Sequence, residues 1–357
     1  MRKKFEILIL GASYGSLLGS KLALAGHNVH LICLPQEAEV INANGVEIRM
    51  PVRGREEAVV IDSKTLPGKL TAGGAKMVDV ERFDLVALAM QEPQYRHREV
   101  RALLGRIAGA EIPCMSIMNM PPLPYLKRIP GLDCKALRDC YADASVWDVL
   151  DQDLVTLCSP DPQAFRPPGE PINVLQVTLP TNFKAARFEQ DEHTALLRQM
   201  EQDIIDARLP LDGEELALPV KLRVHDSIFV PMAKWSMLLT GNYRCIRRDQ
   251  MITIRDAVHS DPAESERIYA RVAELCISLG AERDDLVPFE KYANAAQGLL
   301  KPSSAARALD NGVEFIERVD LLVQSIARQQ GLQDAAIDEI VATVESHLSV
   351  NRLRAAS

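Results

Sequence analysis

The sequence has no run of about 18 apolar residues, so nothing in it reads as a membrane-spanning helix. It also lacks the basic excess of a nucleic-acid binder. Its 41 basic and 49 acidic side chains leave a formal charge of -8, so no nucleic-acid partner is expected, although a local basic pocket for an anion is compatible with that balance. There is no C-x-x-C pair among the seven cysteines, and their number is odd. They read as the reduced thiols of a cytoplasmic protein rather than a disulfide framework. None of the seven histidines stands in H-x-x-x-H or H-x-H spacing, so no metal site is expected. Basic residues before the apolar run at 5–10 imitate a secretion signal, but that run is short, contains Glu6 and passes into a glycine turn.

What the chain does have is ordinary globular material: 47% apolar and 25% charged over 357 residues, enough for two domains with full cores. Phe5-Glu6-Ile7-Leu8-Ile9-Leu10 reads as a buried parallel strand ended by Gly11. Residues 17–25 have helical apolar spacing and stop at Gly26, and 28–33 form a second strand. This strand–turn–helix–strand unit is the opening of a dinucleotide-binding sheet. Further strands are predicted at 46–49, 58–62, 84–90 and 113–118, with a helix near 95–108. The proline-rich stretch at 158–188 carries strand-like runs at 172–179 and 183–188, read as an antiparallel edge. From about 190 the periodicity is helical, with helices predicted at 194–207, 232–241, 264–279, 314–330 and 334–348 and prolines between them. The expected architecture is an α/β domain with a Rossmann-type parallel sheet over 1–210, followed by an all-α domain over 211–357.

The turn Gly11-Ala12-Ser13-Tyr14-Gly15-Ser16 is the candidate cofactor site. A helix N-terminus presents free N–H groups and partial positive charge to a pyrophosphate, and glycine lets the phosphate approach. The full G-x-G-x-x-G pattern would need glycine at 13 and 16, where serines stand; alternatively the turn is shorter and Gly15 is its last glycine, or the turn binds nothing. At the end of the second strand, Cys33-Leu34-Pro35-Gln36 offers neither the acid that holds an NAD ribose nor an arginine for a 2′-phosphate. The missing acid favours NADP, with NAD left open.

Three stretches resemble the ketopantoate reductases (2-dehydropantoate 2-reductases): 7–29 with its glycine turn, Met118-Asn119-Met120 after a strand, and Lys301-Pro302-Ser303-Ser304 leading to Gly312-Val313-Glu314-Phe315-Ile316. The resemblance implies a Rossmann domain and a helical domain, with NADPH and a 2-keto acid in the cleft between them, a place in pantothenate biosynthesis, and a homodimer through the helical domain. It implies hydride transfer to a keto carbon, with a lysine protonating or stabilising the alkoxide, asparagines and serines holding the substrate, and a glutamate orienting the site. Carried onto this chain, those residues are Asn119, Ser303, Ser304 and Glu314, with the Ser304–Glu314 spacing shorter than usual. Gln91 stands where the family has a lysine near the cofactor.

The catalytic lysine has two registers. Aligning on tryptophan puts Met237 at that position and Gly241 at an asparagine position. Aligning on lysine and the asparagine eight residues on selects Lys234 and Asn242, which an α-helix would set about 80° apart around its axis. Lys234 is the preferred residue; the alternative is a surface lysine beside a core Trp235. Arg96, His97 and Arg98 read as a solvated helix face, and Arg244, Arg247 and Arg248 as helix-end charge or an anion site. Glu314 and Glu317 are helix neighbours by spacing. The expected activity is an NAD(P)H-dependent reductase of a small 2-keto acid; the rivals are an opine- or amino-acid-type dehydrogenase and a redox-silent nucleotide-binding protein of the same fold.

Overall fold

The structure is a computed structural model that describes residues 3–356. Packing divides the chain into an α/β unit (residues 3–90, 94–118 and 148–226) and a helical unit (residues 91–93, 119–147 and 227–356).

The α/β unit begins as the sequence predicts. β1 (Glu6–Leu10) is apolar and almost wholly buried, as a strand covered on both faces must be. Gly11 then turns at φ 107°, where a Cβ would lie 2.8 Å from the Ala89 carbonyl oxygen, so only glycine passes. α1 (Ala12–Leu24) follows, and β2 (Asn28–Ile32) pairs in parallel with β1, Ile9 opposite Leu31. α2 (Pro35–Asn44) starts on a proline, whose fixed φ suits a first turn, and stops at Gly45. Next come β3 (Glu47–Met50), β4 (Val59–Asp62), β5 (Leu70–Gly73), β6 (Leu85–Leu88), α3 (Arg98–Gly109) and β7 (Cys114–Ile117). After α4 (Leu123–Leu126), which belongs to the helical unit, the α/β unit resumes. It continues with β8 (Val155–Ser159), β9 (Gln163–Phe165), β10 (Val174–Leu179), β11 (Phe183–Ala186), α5 (Asp191–Asp206), the hairpin β12 (Leu209–Leu211) and β13 (Glu214–Leu216), and β14 (Leu222–His225).

The main sheet runs β14-β11-β8-β7-β6-β1-β2-β5, parallel except where β11 meets β8. Thus 183–186 does pair antiparallel, but it is not an edge: β14 adds in parallel outside it. β10 leaves this sheet altogether and joins a second one, β4-β3-β10-β9. Its C-terminal half, from Gln176, mixes buried Val177 with exposed Thr178, as suits a strand covered on one face.

In the helical unit α6 (Lys234–Met237) runs directly into a π turn, Leu238–Tyr243. α7 (Ile254–His259) and α8 (Pro262–Ser278) follow, capped by the Thr253 and Asp261 side chains. α9 (Phe289–Ala296), α10 (Ser304–Asp310), α11 (Val319–Gln329) and α12 (Ala335–Ala356) complete it. The helix predicted from 314 begins only at Val319, because side chains described below hold the segment before it out of the helix. Among the described residues no helix is long and apolar enough to cross a membrane.

Candidate active site

The glycine turn opens α1 as a helix of 13 residues with no side-chain cap and no acid in its first turn. Its leading N–H groups therefore have no carboxylate competing for them, which suits a dinucleotide phosphate. Ala12 is buried and Ser13 exposed; the Ser16 hydroxyl donates to the Ser13 carbonyl at 3.0 Å. The Tyr14 hydroxyl donates to the Pro162 carbonyl at 2.5 Å, and its ring meets Phe183 edge-on. A Cβ on Gly15 would stand 2.5 Å from Ile9 Cγ2. Gly15 thus brings the helix onto β1, the packing role of the last glycine in such motifs.

The helical unit holds a cluster of ionisable groups that spacing alone does not reveal. Glu317, 8% exposed, takes a hydrogen bond from Asn119 Nδ2 at 3.0 Å and one from the Glu92 backbone N–H at 3.4 Å. Burial pushes its carboxyl above the usual range, while the Asn119 and Glu92 hydrogen bonds and the Lys234 ammonium pull it back. Glu92, 3% exposed, accepts from the Ala142 backbone at 3.2 Å and the Trp147 indole at 3.4 Å. Burial, opposed by those two donors and aided by the charge of Glu317, raises its carboxyl to about 7. The second polar atom of Asn119, Oδ1, is buried without a hydrogen-bond partner, an acceptor still to be satisfied.

Glu317 owes its place to the π turn. The Tyr243 hydroxyl donates to the Glu317 carbonyl and accepts from the Val319 N–H at 3.1 Å, pinning the backbone on both sides of Arg318. Arg318 and Asp320, both buried, form an ion pair that fixes the start of α11, and Glu345 joins it. The π turn also revises the geometry of Lys234 and Asn242. A π turn takes in one extra residue, so eight steps rotate like about seven α-helical ones and leave the pair about 20° apart, nearly in line along the helix. Both are half-buried, and the Asn242 side chain has no hydrogen-bond partner among the described residues. Trp235, at 1% exposed, is core. Gly241 is required by packing: a Cβ there would lie 2.1 Å from the Tyr292 hydroxyl.

The other sequence candidates are placed as follows. The Ser303 hydroxyl caps α10 through the Ala306 N–H and donates to the Asn242 carbonyl at 2.7 Å. Ser304 and Gln91 are exposed. Glu314 is half-buried; its carbonyl accepts from Arg352, and its side chain has no partner among the described residues. Arg244 is buried on Ser265 of α8, whereas Arg247, Arg248, Arg96, His97 and Arg98 are exposed. The structure thus brings Asn119 to Glu317, with the charge of Lys234 acting there, and Ser303 to the backbone of Asn242. Glu92 and Tyr243 were missed. An acid two residues past the strand predicted at 84–90 is the one sequence signal that points to Glu92.

No protein-family model matches the chain, and no curated protein sequence matches it. Solved structures do. One described as a ketopantoate reductase from Ralstonia solanacearum MolK2 is 15% identical with a TM-score of 0.66, covering 98% of this chain and 99% of that one. The ternary structure of a D-mandelate dehydrogenase with NADH and anilino(oxo)acetate is 11% identical with a TM-score of 0.63, covering 97% and 99%. A 2-dehydropantoate 2-reductase from Methylococcus capsulatus is 13% identical with a TM-score of 0.62, covering 99% and 98%. At these identities the likeness is one of fold: this chain has the fold of the ketopantoate reductases over nearly its whole length.

Proposed function

We propose that the protein is a nicotinamide-dependent oxidoreductase that reduces the keto group of a small 2-keto acid, of which 2-dehydropantoate is one. The observation that carries this reading is the group formed by Asn119, Glu317 and Lys234: a buried carboxyl, an amide with an uncommitted acceptor, and a cation whose charge reaches that carboxyl. Perturbed, partnered carboxyls of this kind concentrate at functional sites. The fold supports the same reading, since the similar structures are described as reductases or dehydrogenases of such acids.

The first turn of α1 suits the dinucleotide, with its uncapped amides and the close approach at Gly11. When bound, a reduced nicotinamide supplies a hydride to the keto carbon. This chain's residues do the rest. Lys234 faces the keto oxygen, stabilises the charge that develops on it and gives it the proton that completes the 2-hydroxy acid. Glu317 orients the Lys234 ammonium through the charge interaction between them. Asn119 Oδ1 accepts from a hydroxyl of the bound acid, and Asn242, in line with Lys234, holds its polar end. Ser303 positions Asn242 through its carbonyl.

Lys234→Met tests the reading. Losing one donor aimed at a developing oxyanion costs about 10²–10³ in turnover. The variant should lose that much in dinucleotide oxidation across a panel of 2-keto acids while binding the dinucleotide as tightly as before. Lys234→Arg should rescue little, because a guanidinium holds its proton too strongly. Wild-type turnover in Lys234→Met would exclude Lys234 as the acid.

A further inference from the structure

Glu92 is a buried member of the Glu317 cluster to which the reduction has so far given no task. It lies in the short stretch 91–93 that packs with the helical unit. Its backbone N–H donates to Glu317 Oε1 at 3.4 Å, its Oε2 accepts from the Ala142 N–H at 3.2 Å, and its Oε1 accepts from the Trp147 indole at 3.4 Å. Trp147 is fully buried, and Tyr141, next to Ala142, sends its hydroxyl to the carbonyl of Pro121, two residues after Asn119. Glu92 therefore fastens two things at once: Glu317 through its backbone, and the 141–147 segment that backs Asn119 through its carboxyl.

The charges around the two carboxyls are unequal. The donors that reach the Glu92 carboxyl are neutral, a peptide N–H and an indole. The charges that act on it are those of Glu317 and Asp143, both negative, and Tyr141 beside it is kept neutral by burial. Glu317, by contrast, is drawn toward its charged form by the Lys234 ammonium. Two buried carboxyls sharing one cation do not both ionise cheaply, so the one near the cation takes the charge and the other keeps the proton. Loss of that proton sets two carboxylates against one ammonium. A 2-keto acid arrives as an anion, and its keto oxygen gains negative charge as the hydride is delivered, so a second carboxylate opposes both events. One uncompensated charge a few ångströms from a sheltered site is worth about tenfold or more.

We propose that Glu92 is a positioning residue that switches the site by its charge: neutral, it leaves Glu317 matched to Lys234 and the reduction proceeds; ionised, it opposes the anionic substrate and the developing alkoxide and slows the reduction. This rests on the reading of Asn119, Glu317 and Lys234 as the reducing site, and adds to it a control by pH.

Two measurements test it. The first needs no substrate. The chain has two tryptophans, so its heteronuclear NMR spectrum holds two indole N–H signals, and either Trp147→Phe or Trp235→Phe tells them apart. The Trp147 signal should move with pH around a midpoint near 7, stop doing so in Glu92→Gln, and move at lower pH in Glu317→Gln, which removes the like charge. A midpoint that ignores Glu317→Gln overturns the coupling and with it the proposal. The second is the pH profile of kcat/KM for the native protein and Glu92→Gln on any 2-keto acid that is reduced. Glutamine stays neutral, so the native value divided by that of the variant should fall about tenfold or more between about pH 5.5 and 8.5, a ratio in which other titrating groups cancel. Glu92→Asp should bring the fall back. A flat ratio, whatever the absolute rate of the variant, overturns the proposal and leaves Glu92 as a structural strut. If the native protein reduces no 2-keto acid at any pH, the reductase reading itself fails, and the control by pH falls with it.

Discussion

Glu314 and Glu317 differ little as letters in a sequence, and motif matching selects the first. The folded chain buries the second. What separates them is remote: Tyr243 grips the Glu317 carbonyl and Asn119 meets the carboxylate. None of these contacts has a local spacing, so only Asn119 and Lys234 were legible beforehand. Glu92 was silent for the same reason, since its partners Ala142 and Trp147 lie some fifty residues on. Its raised carboxyl gives a stability prediction with a definite sign. Between its ordinary value of 4.5 and about 7, the folded protein keeps a proton that the unfolded chain has released. That contribution is complete below about pH 4.5, declines as pH rises, and is gone above about 7. Glu92→Gln should therefore melt relatively higher than the native protein as pH is raised through this window, and the two should run parallel above it. Thermal melts across the range decide this; a difference independent of pH would mean that Glu92 does not hold the proton.

Among the elements, β1, α1 and β2 were legible because apolar period, glycine and length all agree over a short span. The π turn was not. Apolar spacing over 232–241 reads as one α-helix, and the extra residue shows only when Tyr292 and Tyr243 are seen to seat around Gly241 and Glu317. π turns recur at functional sites because they re-aim side chains without ending a helix. Here the turn aligns Asn242 with Lys234 and delivers Tyr243 to the backbone beside Glu317. Tyr243 is thus a positioning residue. Tyr243→Phe should cost about 1–3 kcal/mol in urea melts, the usual penalty for stranding buried polar groups. It should also lower kcat and shift the pH profile of turnover, while dinucleotide affinity stays unchanged. A loss of stability with an unaltered pH profile would reduce Tyr243 to a structural role.

For the molecule as a whole, the order α/β then helical follows from the switch of hydrophobic period near residue 190, and the fold matches solved structures at only 11–15% identity. The second sheet escaped the sequence reading because β3 pairs with β10, more than a hundred residues away, and hydrophobic alternation does not say which sheet a strand joins. The function claimed for the whole is the transfer of a hydride to the keto carbon of a 2-keto acid. The most direct measurement follows the label: reduced dinucleotide dideuterated at C4 of the nicotinamide is incubated with a panel of 2-keto acids, and the products are examined by mass spectrometry. The account predicts that at least one yields its 2-hydroxy acid with a single deuterium at C2 in the native protein, and that Lys234→Met yields about 10²–10³-fold less in the same time. If the dinucleotide binds and no 2-keto acid in the panel acquires deuterium, the protein is not a 2-keto acid reductase.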